Sequence, residues 1–249
     1  MFLLFNFDNM QWWKLNTPEQ WLEFLLIAGT SFLVLFAYYC IMVRSRSEAA
    51  AVDRVNRRFK SRSEKEARVY KNVGIRIGDK EIVVDNLVVD THGVLMAHTF
   101  GRGLAAYGEP KDEFWRIKDQ ETNELVSNPL FEVDQIIHTV QTALASHDLY
   151  GANIEGAAIF ADNFNEPTLF VGRSANAFGI KHIKKFFEQR GQSKITIKTP
   201  DKVADVLETY FFEVPPKENY KQRKARLKQE KREERAAEKA AKAERKQQA

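Results

Sequence analysis

From Phe24 to Val43 the chain runs for 20 residues without a charged side chain, FLLIAGTSFLVLFAYYCIMV. As a helix rising about 1.5 Å per residue, such a stretch covers roughly 30 Å, the hydrocarbon thickness of a bilayer. In hydrocarbon every backbone N–H and C=O must be satisfied within the segment, so a single transmembrane helix is the expected form. Thr17-Pro18-Glu19-Gln20 supplies a start signal: threonine can cap, proline suits the first turn, and glutamine can close a capping box. Trp12, Trp13 and Trp21 on one side, with Tyr38 and Tyr39 near the other, read as interfacial aromatics. The only cysteine, Cys40, lies inside the span, which excludes a disulfide framework and a Cys-rich zinc site.

The formal charge of +4 conceals unlike parts. Residues 1–43 carry −2, residues 44–62 carry +5, residues 63–216 carry −6 and residues 217–249 carry +7. Arg44, Arg46, Arg54, Arg57, Arg58, Lys60 and Arg62 follow the span, against Lys14 alone before it. The positive-inside rule therefore predicts a single-pass protein of the cell membrane, N-terminus outside and C-terminal domain cytoplasmic. A cleaved signal peptide would carry its charge before a shorter apolar stretch, the reverse of this order. The expected divisions are an extracytoplasmic segment (1–23), the transmembrane helix (24–43), a basic juxtamembrane helix (44–63), a cytoplasmic domain (64–214) and a charged basic tail (215–249). The juxtamembrane helix reads as a continuation of the span, a stalk with its arginines among anionic head groups.

Within the domain, strand-like runs occur at 69–77, 81–90, 94–99 and 114–117, with turn signals at Gly78-Asp79 and Thr91-His92-Gly93. An amphipathic helix is predicted over 131–146, from Val133, Ile136, Ile137, Val140 and Leu144. Strands at 156–161 and 168–172, a helix at 182–190, extended chain at 194–198 and a helix capped by Thr199 follow. This order predicts an α/β or α+β fold, a mixed sheet with flanking helices.

The segment EIVVDNLVVDTHGVLMAHTFGRG resembles the nuclease-related domain, NERD, of the PD-(D/E)xK nuclease-like folds. The matching elements are Val84-Asp85-Asn86-Leu87-Val88-Val89, Gly93-Val94, Gly103 with Gly108, Trp115, Asn128-Pro129-Leu130 and the apolar run 157–163, covering roughly residues 66–190. The resemblance implies a restriction-endonuclease-like fold in which a strand Asp and a Glu on the next strand hold a divalent cation. A Lys two residues beyond that Glu assists the attacking water. Aligned on Gly93-Val94, Asp85 keeps its place, but the Glu position is His98 and the Lys position is Phe100. Imidazole is a poor magnesium ligand, and a phenyl ring neither donates nor carries charge. Glu132 stands where the family often has Gln, and Ser47-Glu48 is the nearest match to an upstream Gly-Glu.

Asp85 is thus the catalytic candidate if the site is active, with Glu132 beside it, and Asp85 and His98 are the candidate metal ligands. Simple alternation places Asp85 on one strand face with Val83, Leu87 and Val89, where a carboxylate must be paired, protonated or metal-bound. His92, His138, His147 and His182 lack ligand spacing and are expected on turns or solvated faces. The leading expectation is a catalytically inactive domain acting as a binding or scaffold module for an unidentified protein partner, without a cofactor. A nuclease using Mg or Mn is the alternative. A third reading makes residues 217–249 a polybasic arm touching nucleic acid or anionic lipid.

Overall fold

A computed structural model describes residues 18–45, 47–101, 105–118, 123–162, 165–172 and 174–217. In the C-terminal arm it describes 222, 225–226, 228–229 and 232–233. Trp12, Trp13, Lys14, the Thr17 cap, Arg46, Gly103 and most of the basic tail lie outside the described residues.

Two compact units divide the chain at Val43–Arg44. The first contains the helix α1 (Pro18–Ser45), which begins with Pro18 in its first turn. Trp21–Ile41 is long and apolar enough to cross a membrane, with a mean hydropathy of 2.1 and none of it buried within the protein. From Phe24 onward it carries no charged side chain on any face, as a helix in lipid requires. The Thr30 hydroxyl donates to the Leu26 and Ile27 carbonyls, at 2.8 and 3.0 Å, so its own polar group is satisfied within the helix.

The second unit begins its regular structure with α2 (Glu48–Arg62), whose N-cap Ser47 accepts the Ala50 N–H. The structure differs here from the stalk reading. Ala51, Val52, Val55, Asn56 and Phe59 are buried, and Ala51, Val55 and Phe59 pack against the main sheet. The spacing of Val52, Val55 and Phe59 marks an inward stripe, and the arginines and Lys60 line the other faces. Within the expected 44–63 helix, Glu48–Arg62 is therefore a helix of the domain itself.

Among the described residues, ten strands build two mixed sheets. They are β1 (Arg68–Ile77), β2 (Lys80–Asp90), β3 (Gly93–Phe100), β4 (Ala105–Gly108), β5 (Phe114–Lys118), β6 (Asn123–Ser127), β7 (Ile154–Phe160), β8 (Thr168–Val171), β9 (Ala177–Gly179) and β10 (Phe211–Glu213). The larger sheet has the order β10-β1-β2-β3-β7-β9, and the smaller β6-β5-β4-β8. β1, β2 and β3 form an antiparallel meander, whereas β3, β7 and β9 run parallel. Gly78 (φ 61°) and Gly93 (φ 141°) serve the two tight turns of the meander. A Cβ on Gly93 would also strike the Asn153 carbonyl.

Three further helices complete the unit: α3 (Pro129–Ala145), α4 (Ile183–Gly191) and α5 (Pro200–Glu208). α3 and α5 cover one face of the larger sheet through Val133, Ile136, Val140, Val203 and Leu207. α2 and α4 cover the other through Val55, Phe59 and Ile183. The domain is thus α/β, a mixed sheet between helical layers, as expected. Four short strands, β4, β6, β9 and β10, went unread in the sequence. The predicted extended run 194–198 joins no ladder; the Thr196 and Ile197 N–H groups instead donate to the Thr91 carbonyl. Thr199 precedes α5 but makes no side-chain cap.

Candidate functional site

The strand pair β1–β2 carries an irregularity that places Asp85. Ile82 and Val84 share an apolar cluster with Leu87 and Val89, so the inward set shifts from even to odd positions across Asp85-Asn86. β1 shifts at the same rung, with Tyr70 packed on the cluster that holds Val73 and Ile75. The Asn72–Asp85 rung is absent from the ladder, and Asn72 adopts a φ of 52°. Asparagine is among the few side chains that tolerate this left-handed conformation. Simple alternation therefore fails at Asp85: Val83 is exposed, while Val84 through Asp90 are all buried.

Beyond Asn86–Ala97 the β2–β3 ladder also ends, and side chains take over its hydrogen bonds. Asp85 Oδ2 accepts the Thr99 backbone N–H at 2.6 Å. The Asn86 amide donates to the Thr99 hydroxyl at 3.2 Å. Asp85 is only 3% exposed, and the Lys217 ammonium reaches it from the segment after β10. Lys217 Nζ lies 2.7 Å from Asp85 Oδ2 and 3.0 Å from the Thr99 carbonyl oxygen. One cationic nitrogen thus binds two oxygens at the open end of the β2–β3 pair.

His98, two residues after Met96 on β3, projects toward the same place. Its Nε2 is 3.9 Å from Glu132 Oε2, and that buried nitrogen has no hydrogen-bond partner. Burial lowers the His98 pKa; Asp85 and Glu132 pull it upward and Lys217 pushes it down. The ring is accordingly held neutral at pH 7. Glu132 sits in the first turn of α3, whose N-cap Asn128 accepts the Leu130 N–H. The Asn128 amide also donates to the Glu109, Pro110 and Asp112 carbonyls, and Trp115 Nε1 donates to Glu109. Gly108, Trp115 and Asn128 therefore fix one loop against the start of α3, and so fix Glu132.

Phe100 stacks on Phe160 with ring centroids 5.0 Å apart, inside an apolar cluster. On the opposite side of the sheet end, the Glu48 carboxylate accepts the Gly101 N–H at 2.9 Å. The Arg54 guanidinium donates to the Ala161 carbonyl nearby. Asp85, His98 and Glu132 are thus brought together, and Lys217 is the member that sequence reasoning missed. Nothing in the tail's charge pattern singles out its first lysine; the Pro215-Pro216 pair marked only a boundary.

Two oxygens that a divalent ion would use here, Asp85 Oδ2 and the Thr99 carbonyl, are already bound. Asp85 Oδ2 serves the Thr99 N–H and Lys217, and the Thr99 carbonyl serves the same ammonium. Among the described residues no group of three or more His, Cys, Asp or Glu is arranged to hold a metal. As they stand, the residues present do not fit a divalent cation.

A second buried polar cluster lies at the other end of β2. Arg190 of α4 forks onto Asp90 with two 3.0 Å hydrogen bonds and pairs with Glu155. Asp90 also accepts the His92 and Gly93 N–H groups, closing the β2–β3 turn. His92 is buried rather than solvated, 3.3 Å from Glu64. This cluster is satisfied and structural. His182 is paired on the surface with Glu166 at 2.6 Å, and this bond chiefly lowers the Glu166 pKa.

Comparison with family models, curated proteins and solved structures finds no match. The class defined by fold and site is an α/β domain with a buried carboxylate–ammonium pair, in a chain that also carries one apolar helix of membrane-spanning length.

Proposed function

We propose that this chain is a single-pass membrane protein, N-terminus outside. Its cytoplasmic domain is a NERD-like module that has lost nuclease chemistry and serves as a binding or scaffold element. The orientation is supported by the charge step from −2 before Arg44 to +5 across residues 44–62. The restriction-endonuclease-like reading is supported by the element order α2, β1, β2, β3, α3, β7, with β3 and β7 parallel. The observation that carries the loss of chemistry is Lys217 on Asp85, with Phe100 packed on Phe160. A phenyl ring in an apolar cluster cannot orient water, and a carboxylate closed by an ammonium offers a metal no free oxygen pair.

The full chain in detergent, given Mg²⁺ or Mn²⁺ with plasmid, single-stranded DNA or RNA, is expected to show no cleavage above the Asp85→Ala background. Cleavage that Asp85→Ala abolishes would overturn this reading. A second reading, contact of the arm with nucleic acid or anionic lipid, is favoured by its +7 charge over residues 217–249. Removing residues 218–249, which spares the Lys217 pair, should then weaken binding to DNA or anionic vesicles and flatten its salt dependence. Unchanged affinity would end that reading.

A further inference from the structure

Lys217 leaves the chain just after Pro215-Pro216 and turns its side chain inward, although a lysine at the head of a charged arm has water available on every side. Its nitrogen is held by a carboxylate oxygen at 2.7 Å and a main-chain carbonyl oxygen at 3.0 Å. The carboxylate is buried, with its side chain 4% exposed, whereas the lysine side chain is 37% exposed. The buried partner is therefore the part that needs compensation, and the arm supplies it. Two hard oxygens converging on one positive charge make a cation site by geometry, whichever cation fills it. The neighbouring His98 Nε2, buried and without a hydrogen-bond partner, and the Glu132 carboxylate supply further ligating atoms.

We propose that the Lys217 ammonium is the resident cation of the Asp85 site, so that the C-terminal arm and a free divalent ion compete for one position. The inference rests on the reading of this domain as one that works without a metal, and it adds the device that keeps the metal out. With Lys217 in place, Asp85 Oδ2 and the Thr99 carbonyl are occupied and the root of the arm is pinned where the β2–β3 ladder ends. With Lys217 absent, Asp85 Oδ2 and the Thr99 carbonyl lose their shared cation, beside the His98 ring and the Glu132 carboxylate. A divalent ion entering there would meet oxygen and imidazole donors, a mixture that favours Mn²⁺ or another transition ion over Mg²⁺. Ammonium–oxygen separations near 2.7 Å exceed metal–oxygen bonds of about 2.0–2.6 Å. The two oxygens that hold the ammonium must therefore draw inward by about a few tenths of an ångström, and Glu132 and His98 must move to join them, because no three-residue metal group is preassembled among the described residues.

Two measurements on the full chain in detergent test this. In the first, Mn²⁺ is titrated and the free ion followed by electron paramagnetic resonance, for wild type, Lys217→Met, Lys217→Gln and each variant combined with Asp85→Asn. The expected result is no Asp85-dependent binding in wild type. At least one of the two lysine variants should bind one Mn²⁺ per chain, at least tenfold tighter, and lose it with Asp85→Asn. Equal Asp85-dependent binding in wild type, or no such binding in any folded lysine variant, would overturn the proposal. The second measurement needs no lysine variant to fold. Limiting N-hydroxysuccinimidyl acetate is applied and acetylation at Lys217 compared with Lys221 by mass spectrometry. Lys217 should react several-fold more slowly than Lys221 in wild type and reach parity in Asp85→Asn. Parity in wild type would show that the arm does not occupy the site. Nuclease activity in wild type would overturn the proposed function but leave the acetylation result standing. Failure of every folded lysine variant to bind Mn²⁺ would overturn only the present inference.

Discussion

Arg190→Ala removes the guanidinium that ties α4 to the turn between β2 and β3. The Arg190 and Asp90 side chains are 4% and 3% exposed, and Glu155, the second carboxylate of the cluster, is 24% exposed. Truncation leaves Asp90 a buried charge whose remaining compensation is two hydrogen bonds, from the His92 and Gly93 N–H groups. Stranding one member of a buried pair costs about 3–5 kcal/mol. Domains of this kind have about 5–15 kcal/mol in total, so the variant should be severely destabilised. Asp90→Asn is different, because its amide oxygen can still accept both turn N–H groups while the charge is gone. The pair Asp90→Asn with Arg190→Met should therefore recover much of the loss, since replacing both partners of a buried pair is often near neutral. The assay is urea unfolding of residues 44–249, a compact unit in which fully buried Trp115 is the only tryptophan. A cost below about 1 kcal/mol for Arg190→Ala, or additivity of the two substitutions within about 0.5 kcal/mol, would refute the reasoning.

Two further outcomes follow from the same structure. His98 is held neutral in the folded state, by burial against the opposing pull of Asp85 and Glu132, so its folded pKa lies below the ordinary 6.5. Below that pH the unfolded chain takes up the proton first, so stability should fall from about pH 6.5 downward, until the folded pKa is passed. His98→Asn should flatten that part of a urea-midpoint profile, and an unchanged slope would count against it. Phe59 of α2 is fully buried and meets Phe187 edge-on at 5.2 Å. Phe59→Ala should cost about 3–5 kcal/mol in the same assay, whereas a solvated stalk would lose almost nothing.

The long-range signals that were legible in the sequence are those whose physical cause is local. Two-residue turns at Gly78-Asp79 and Thr91-His92 punctuate the β1–β2–β3 meander, and the Val133–Leu144 stripe marks α3. The apolar run of α1 is legible for the same reason, because apolarity sustained over a whole helix is a continuous property along the chain. The short strands β4, β6, β9 and β10 carry three to five residues each, too few for a period to emerge. Their pairing comes from partners distant in sequence, as Ala105–Gly108 with Thr168–Val171 illustrates. The role of α2 was obscured by its charge: five exposed or half-exposed basic residues outweigh the Val52, Val55 and Phe59 stripe in any composition reading.

Asp85 shows why a candidate residue can be named from a sequence while its environment cannot. Alternation along β2 assigns it a face, but alternation holds only while both strands stay in pleat. The left-handed Asn72 opposite breaks the pleat on both strands at one rung. Val84 through Leu87 then become buried together, and the carboxylate is turned into the gap where the β2–β3 ladder ends. There it must meet a cation or a set of donors, because an isolated carboxylate cannot remain charged at 3% exposure. That requirement is general, but which cation answers it depends on a residue 132 positions away. A resemblance built on residues 66–190 ends before Lys217 and therefore describes the carboxylate without its partner. Under the nuclease-like reading proposed above, the catalytic question turns on the first residue of the arm as much as on His98 and Phe100. Substituting Glu and Lys at those two positions would not by itself free Asp85 Oδ2 while Lys217 remains on it.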